Sequence, residues 1–290
     1  MSPRPLDHLV LGTTDLDQLA GEFEALGWRV GARNRHPWGT ENRLIQFADE
    51  TFLELISVGE GAQVPPHQPG FFSFGAFVAE AIARRPGLSM MVLRSENAKA
   101  DAMRFASEGV GSFAPFDFAR KGVKADGTEV EVAFTLAFAH AQDLAECGFF
   151  VCQQHFPENF WSQVLQQHPN GASGISRVTL VAENPSDHHI FLSAFADCRE
   201  MRASSSGIAL DCGRTRVEIV TPDTFRFLYG VEARTSPPHF AGFGLRVAEP
   251  AAVARQAVRM GLGMVAAGDA FTIEPRPGFA TAIRLERLVA

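Results

Sequence analysis

The chain repeats itself, and this limits its folding more than any other feature. The stretch TFLELISV (Thr51 to Val58) returns as TRVEIVTP (Thr215 to Pro222), in both cases Thr, any residue, aliphatic, Glu, aliphatic, aliphatic. Glu54 and Glu218 lie 164 positions apart. Upstream, LDHLVLGTTDLDQLAGEFEALG (Leu6 to Gly27) is echoed by ISRVTLVAENPSDHHIFLSAFAD (Ile175 to Asp197) at an offset of about 169. A recurring segment of this size is one supersecondary unit that cannot bury its own apolar face and must pair with a copy.

The first unit parses from local rules. Leu6 to Leu11 is an apolar strand. Asp15 can cap the free N–H groups of a first helical turn. Leu16, Leu19, Phe23 and Leu26 then form a stripe at spacings of three and four, and Gly27 ends the helix. Strands are predicted over Trp28 to Arg33, Asn42 to Phe47 and Thr51 to Ser57, so the order is βαβββ. The same order is expected from Leu88, with a helix over Ala98 to Ser107 and strands near Phe116 to Ala119, Glu129 to Phe138 and Gly148 to His155. A third unit spans Ile175 to about Val220. A fourth starts near Phe240, carries a helix from Pro250 to Met260 and closes with strands to Leu288. Pro250 suits a first helical turn, where its missing N–H costs nothing. Four units in 290 residues give about 70 each. The fold class is therefore α+β, with four βαβββ modules paired into two half-domains. The expected division is 1–165 and 175–290, with the polar stretch Gln166 to Gly174 as the seam.

Glu54 is the odd residue in the first repeat. Phe52, Glu54 and Ile56 share one strand face, and two of the three are apolar. A carboxylate there either faces water or needs a partner, because an unpaired buried charge is costly. The loop HPWGTENR concentrates His36, Trp38, Thr40 and Asn42 within eight residues, and Gly39 permits a tight turn. His188 and His189 read as surface residues, and His140, His168 and His239 carry no partner spacing. Phenylalanine is abundant (25 residues) and tyrosine nearly absent, so the aromatic weight serves apolar packing or an apolar pocket.

Composition narrows the partners. A net charge of -7 with no basic run argues against nucleic acid. No apolar run approaches the roughly 20 residues that span a bilayer, and the N-terminus lacks the zones of a signal peptide, so a cytoplasmic protein is expected. Cys147, Cys152, Cys198 and Cys212 show no C-x-x-C spacing and read as reduced, buried thiols. Dinucleotide, nucleotide and nucleophile-elbow motifs are absent from the sequence.

Four βαβββ units, a His on the first strand (LDHLVLG) and a Glu on the fourth (FLELIS) resemble the vicinal oxygen chelate superfamily. The stretch from His36 to Val58 resembles its glyoxalase-like subgroup. The resemblance implies that the four modules pair into two cupped mixed sheets that hold a divalent metal, with ligands from the first and last strands. Carried over by position, His8 and Glu54 match ligand places. Ser89 aligns with His8 in the second unit, and Gln153 and His155 stand on its fourth strand. The implied metal set is His8, Glu54 and His155, for zinc, manganese, iron or nickel, or no metal at all. His36, Trp38, Thr40, Asn42 and Gln153 are the implied substrate contacts, and Glu54 the proton-moving group. In the third unit Arg177 or Ser176 aligns with His8, and Glu218 is free to pair with Arg177 or Arg284, a structural role. The expected function is lyase or isomerase chemistry on a small molecule that chelates the metal through vicinal oxygens. The alternatives are a metal-free protein that binds aromatic or drug-like molecules and an extradiol-type dioxygenase. A homodimer is left open.

Overall fold

Local signals start and stop the elements where expected. The Asp15 carboxylate accepts from the Gln18 amide at 2.9 Å and caps the first helix, and Asn97 accepts from Ala100 at 3.0 Å to cap the second module's helix. The computed structural model describes residues 3–123 and 128–287. The first half contains β1 (Leu6–Gly12), α1 (Leu16–Ala25), β2 (Asn34–Arg35), β3 (Thr40–Gln46), β4 (Phe52–Val58) and α2 (Phe74–Arg84). It continues with β5 (Gly87–Arg94), α3 (Ala98–Ser107), β6 (Phe116–Val123), β7 (Glu129–Ala139), β8 (Gly148–Gln154) and the single turn α4 (Pro157–Phe160). The second half opens with β9 (Gly174–Val181), α5 (His189–Ala196), β10 (Arg202–Ser204), β11 (Gly207–Cys212), β12 (Thr215–Val220) and α6 (Pro222–Tyr229). It ends with β13 (His239–Val247), α7 (Pro250–Arg259), β14 (Met264–Ala267), β15 (Ala270–Ile273) and β16 (Ala282–Arg287). Leu288, the expected end of the last strand, lies outside the described residues.

The strands form two eight-stranded mixed sheets, ordered β2-β3-β4-β1-β5-β8-β7-β6 and β10-β11-β12-β9-β13-β16-β15-β14. Within each module the first and last strands run parallel, as β1 with β4 and β5 with β8. The modules join through antiparallel first strands, β1 with β5 and β9 with β13. Modules therefore pair one with two and three with four within the chain. Neighbouring strand residues face opposite ways, so each sheet has two apolar surfaces. One faces a central core shared by both halves, with Leu9, Leu11 and Phe23 from the first and Leu180, Phe195 and Phe243 from the second. The other faces form two separate clusters. One holds Val10, Met90 and Phe150, and the other Val181, Tyr229 and Ala241.

Two expectations are corrected. The predicted strand over Trp28 to Arg33 is not one: Trp28 turns back after the positive φ of Gly27 (91°) and packs edge-on against Phe23, with ring centres 5.5 Å apart. The ladder with β3 starts at Asn34, preceded by one isolated bond from the Gly31 amide to the Leu44 carbonyl at 2.8 Å. The helix α2, with Ser73 as its cap, has no counterpart in the expected βαβββ order. It covers one end of the first sheet and places Phe74 over the concave face.

Candidate functional site

The first sheet's concave face forms a small, partly enclosed cup. Its walls are Trp38, Phe52, Phe74, Phe118, Phe134, Phe150 and Phe160, and its polar groups are His8, His36, Asn42, Glu54 and Arg120. The abundance of phenylalanine finds its use here.

His8 and Glu54 project into the same hollow from adjacent parallel strands. His8 Nε2 lies 3.7 Å from Glu54 Oε2, beyond hydrogen-bond length. The imidazole is fixed from behind, with Nδ1 2.6 Å from Asp7 Oδ1. Asp7 Oδ2 in turn accepts from Gln154 Nε2 at 3.0 Å. Adjacent residues on a regular strand could not meet in this way. The register explains it: Leu6 pairs with Leu93 and His8 with Val92, so Asp7 is the extra residue of a β-bulge. Bulges re-aim side chains beside sites in this manner. Phe52 stacks on the His8 ring at 4.2 Å.

Glu54 is buried, and its Oε1 accepts from Asn42 Nδ2 at 2.6 Å. Among the described residues its Oε2 makes no hydrogen bond. His36 stands 3.9 Å from Oε1, stacked on Trp38 at 4.5 Å. Its Nδ1 lies 2.8 Å from the Thr40 hydroxyl and its Nε2 3.3 Å from Asn42 Nδ2. Burial holds the His36 imidazole below its ordinary pKa; the Glu54 charge pulls it back up and Arg120 pushes it further down. His36, Trp38 and Asn42 thus line the cup, and Thr40 buttresses His36 from behind. Burial raises the Cys152 thiol well above its usual pKa, with Asp7 and Glu54 adding to the effect, so this cup-lining sulfur is a neutral thiol rather than a nucleophile.

Gln153 and His155 do not enter the cup. Phe150 and Cys152 of β8 face it, so alternation turns the odd-numbered residues to the other side. Gln153 accepts from the Ala98 amide at 3.1 Å and steadies the start of α3. His155 is exposed beyond the strand end, 2.8 Å from the Thr135 hydroxyl that donates to Asp117. His188 is buried rather than exposed, 2.9 Å from Asp143, and His168 is buried between the Arg29 amide and the Gln46 carbonyl. Asp7, Gln154 and Arg120 escaped the sequence reading. An acid beside His8 was visible in LDHL, but the bulge that makes the two meet was not.

The register also identifies each module's counterpart of the His8–Glu54 pair. Ser89 is the bulge residue of β5, matching Asp7 rather than His8. Met90 therefore stands where His8 stands, and Phe150, paired with Val92, where Glu54 stands. In the second sheet Ser176 is the bulge residue, Arg177 matches His8, and Glu218 matches Glu54. There Arg177 Nη1 donates to Glu218 Oε1 at 2.8 Å, Arg216 donates to Oε2 at 3.0 Å, and Tyr229 packs against Gly242. That concavity holds an ion network.

The donor set does not fit a resident divalent metal. Catalytic sites of that kind use three protein donors. His8 and Glu54 are two, the second module supplies Met90 and Phe150, and both nitrogens of His36 are already hydrogen-bonded. Among the described residues no group of three His, Cys, Asp or Glu side chains is arranged to hold a metal ion.

The fold is shared with solved structures of the dioxygenase and glyoxalase kind. A variant of 4-hydroxymandelate synthase from Streptomyces coelicolor is 10% identical and covers 99% of this chain and 93% of its own, with a TM-score of 0.57. The Mn(II)-bound glyoxalase from Novosphingobium aromaticivorans is 13% identical and covers 99% and 83%, with a TM-score of 0.53. A Staphylococcus aureus protein described as hypothetical is 16% identical over 98% and 99% of the two chains, at 0.69. No curated protein matches the sequence. The glyoxalase-like domain family matches residues 6–195, and the chain belongs to it, within the vicinal oxygen chelate superfamily.

Proposed function

We propose that the N-terminal cup binds a small, largely apolar molecule and moves a proton on it, with Glu54 as the proton-transferring group. The observation that carries this reading is the Glu54 carboxylate at the base of an aromatic hollow. One oxygen is held by Asn42, while the other makes no protein hydrogen bond and faces the His8 imidazole at 3.7 Å. A carboxylate so placed can take a proton from a carbon beside a carbonyl and return it to the neighbouring atom, which is isomerase chemistry, or let a leaving group depart, which is lyase chemistry. Asp7 fixes the tautomer and aim of His8. His8 then presents its Nε2 lone pair as an acceptor to the protonated Glu54, and the phenylalanine walls keep water from competing for the proton. No step is assigned to a metal.

The test uses phenylacetone, whose benzylic hydrogens flank a carbonyl, in D₂O. Deuterium incorporation read by proton NMR is expected with the wild type and is reduced by a factor on the order of 10²–10⁴ in Glu54→Gln. Equal exchange by Glu54→Gln would remove Glu54 from the reaction. The second reading is a binding protein without turnover, favoured by Met90 and Phe150 replacing polar groups in the second module. It is supported if phenylacetone raises the melting temperature but no variant-dependent exchange occurs.

A further inference from the structure

Arg120 is a polar group in the cup that the proposed proton transfer does not use. It lies on β6, where Phe118 and Arg120 face the hollow and Asp117 and Lys121 the opposite side. Its backbone pairs with Val132, and Leu44, Phe118 and Phe160 are among its neighbours in the cup lining. The side chain is half-buried, yet among the described residues it makes neither a hydrogen bond nor an ion pair. Other half-buried arginines do: Arg85 donates to the Ala280 and Phe240 carbonyls, and Arg177 to Glu218. A guanidinium carries five donors and stays charged, so Arg120 keeps its donors free for a ligand. Burial pulls its pKa down, and the nearby Glu54 charge partly offsets this without contacting it.

Position adds a second constraint. Arg120, Leu44 and Phe160 border both the cup and a wider outer groove that also includes Gln46, Trp161 and Ser162. The cation therefore sits at the mouth, with aromatic rings inside and Glu54 beyond them. A ligand that satisfies all three is flat and apolar at one end and carries a single negative charge at the other. A dianion would leave charge unmatched by the one guanidinium and would meet the Glu54 carboxylate.

We propose that the cup takes an aromatic monocarboxylate, ring inward among the phenylalanines and carboxylate held at the mouth by Arg120. A planar guanidinium matches a carboxylate in two parallel hydrogen bonds, which gives orientation as well as affinity. This inference rests on the reading of the cup as a small-molecule site and names the class of molecule.

The experiment is isothermal titration calorimetry at pH 7 with phenylacetate and its neutral isostere phenylacetamide, on the wild type, Arg120→Gln and Arg120→Lys. In the wild type the acid binds at least about tenfold tighter than the amide, the scale of a charge-assisted pair. In Arg120→Gln that preference disappears while the affinity for the amide stays within about twofold. Arg120→Lys keeps part of the preference, since it keeps the charge and loses the fork. Arg120→Gln removes no internal bond, so unchanged melting is expected in the absence of ligand. Equal binding of acid and amide to the wild type, or a preference that survives in Arg120→Gln, overturns the inference while leaving the cup as a small-molecule site. Failure of both ligands to bind overturns both.

Discussion

At the residue scale the site is a set of polar groups held by one another inside an apolar hollow. Asn42 is the support for Glu54, so Asn42→Ala strips a charge-assisted bond from a buried carboxylate. The expected loss of stability is about 1–3 kcal/mol, read as a lower midpoint in urea denaturation. A Glu54→Gln background is expected to absorb most of that loss, because the amide leaves no buried charge to support. A second prediction concerns pH. Burial first, then the Arg85 and Arg234 guanidiniums, lower the His239 pKa from 6.5 to about 3. The folded chain thus keeps His239 neutral where the unfolded chain binds a proton. Its contribution to stability is complete above pH 6.5 and is lost as pH falls from there towards 3. Melting temperature should drop across that range, and less steeply in His239→Gln; His36, lowered in the same direction, adds to the slope. The sequence disclosed His8 and Glu54 because each breaks an apolar strand pattern. It concealed Arg120, since an arginine in a strand usually faces water, and concealed that His239 is buried, since its position before a strand resembles a loop.

At the element scale, the repeated unit is used in opposite ways in the two sheets. Glu54 and Glu218 occupy equivalent places, but the first meets an imidazole at 3.7 Å and the second an arginine at 2.8 Å. A close ion pair ties up the second carboxylate, and a spaced pair leaves one oxygen of the first without a protein hydrogen bond. A Cβ built on Gly242 would lie 2.6 Å from Tyr229 Cε1. Gly242→Ala is therefore expected to displace the ring and cost about 1–3 kcal/mol, with phenylacetate binding in the first cup unchanged by calorimetry. Helix boundaries were legible, because caps and apolar stripes are local. The side of β8 that carries the site was not, since its face is set by pairing with β5 and GFFVCQQ is apolar on both faces. Helix α2 was hidden for a related reason: its phenylalanine-rich start carries strand-forming residues, and tertiary contact decides the outcome.

At the scale of the whole molecule the halves are joined by more than a seam. The shared core runs between the sheets, Arg85 reaches two carbonyls of the second half, and the Leu88 amide donates to Thr281 at 2.8 Å. Residues 1–165 expressed alone would expose the central faces of Leu9, Leu11 and Phe23. The expected result is aggregation, or a molten state without near-ultraviolet dichroism, and a sharp independent transition would contradict it. Among the described residues no helix is long and apolar enough to cross a membrane. The repeat in the sequence foretold two sheets of paired modules because spacing survives folding, whereas the single shared core depends on contacts between distant segments. A crystal structure of the protein soaked with phenylacetone measures directly whether the first cup is where a small molecule meets Glu54. The predicted density lies in the first cup, among its aromatic walls and within reach of Glu54 Oε2 and His8 Nε2. A ligand seated in the outer groove or over the second sheet, with that cup empty, would contradict it.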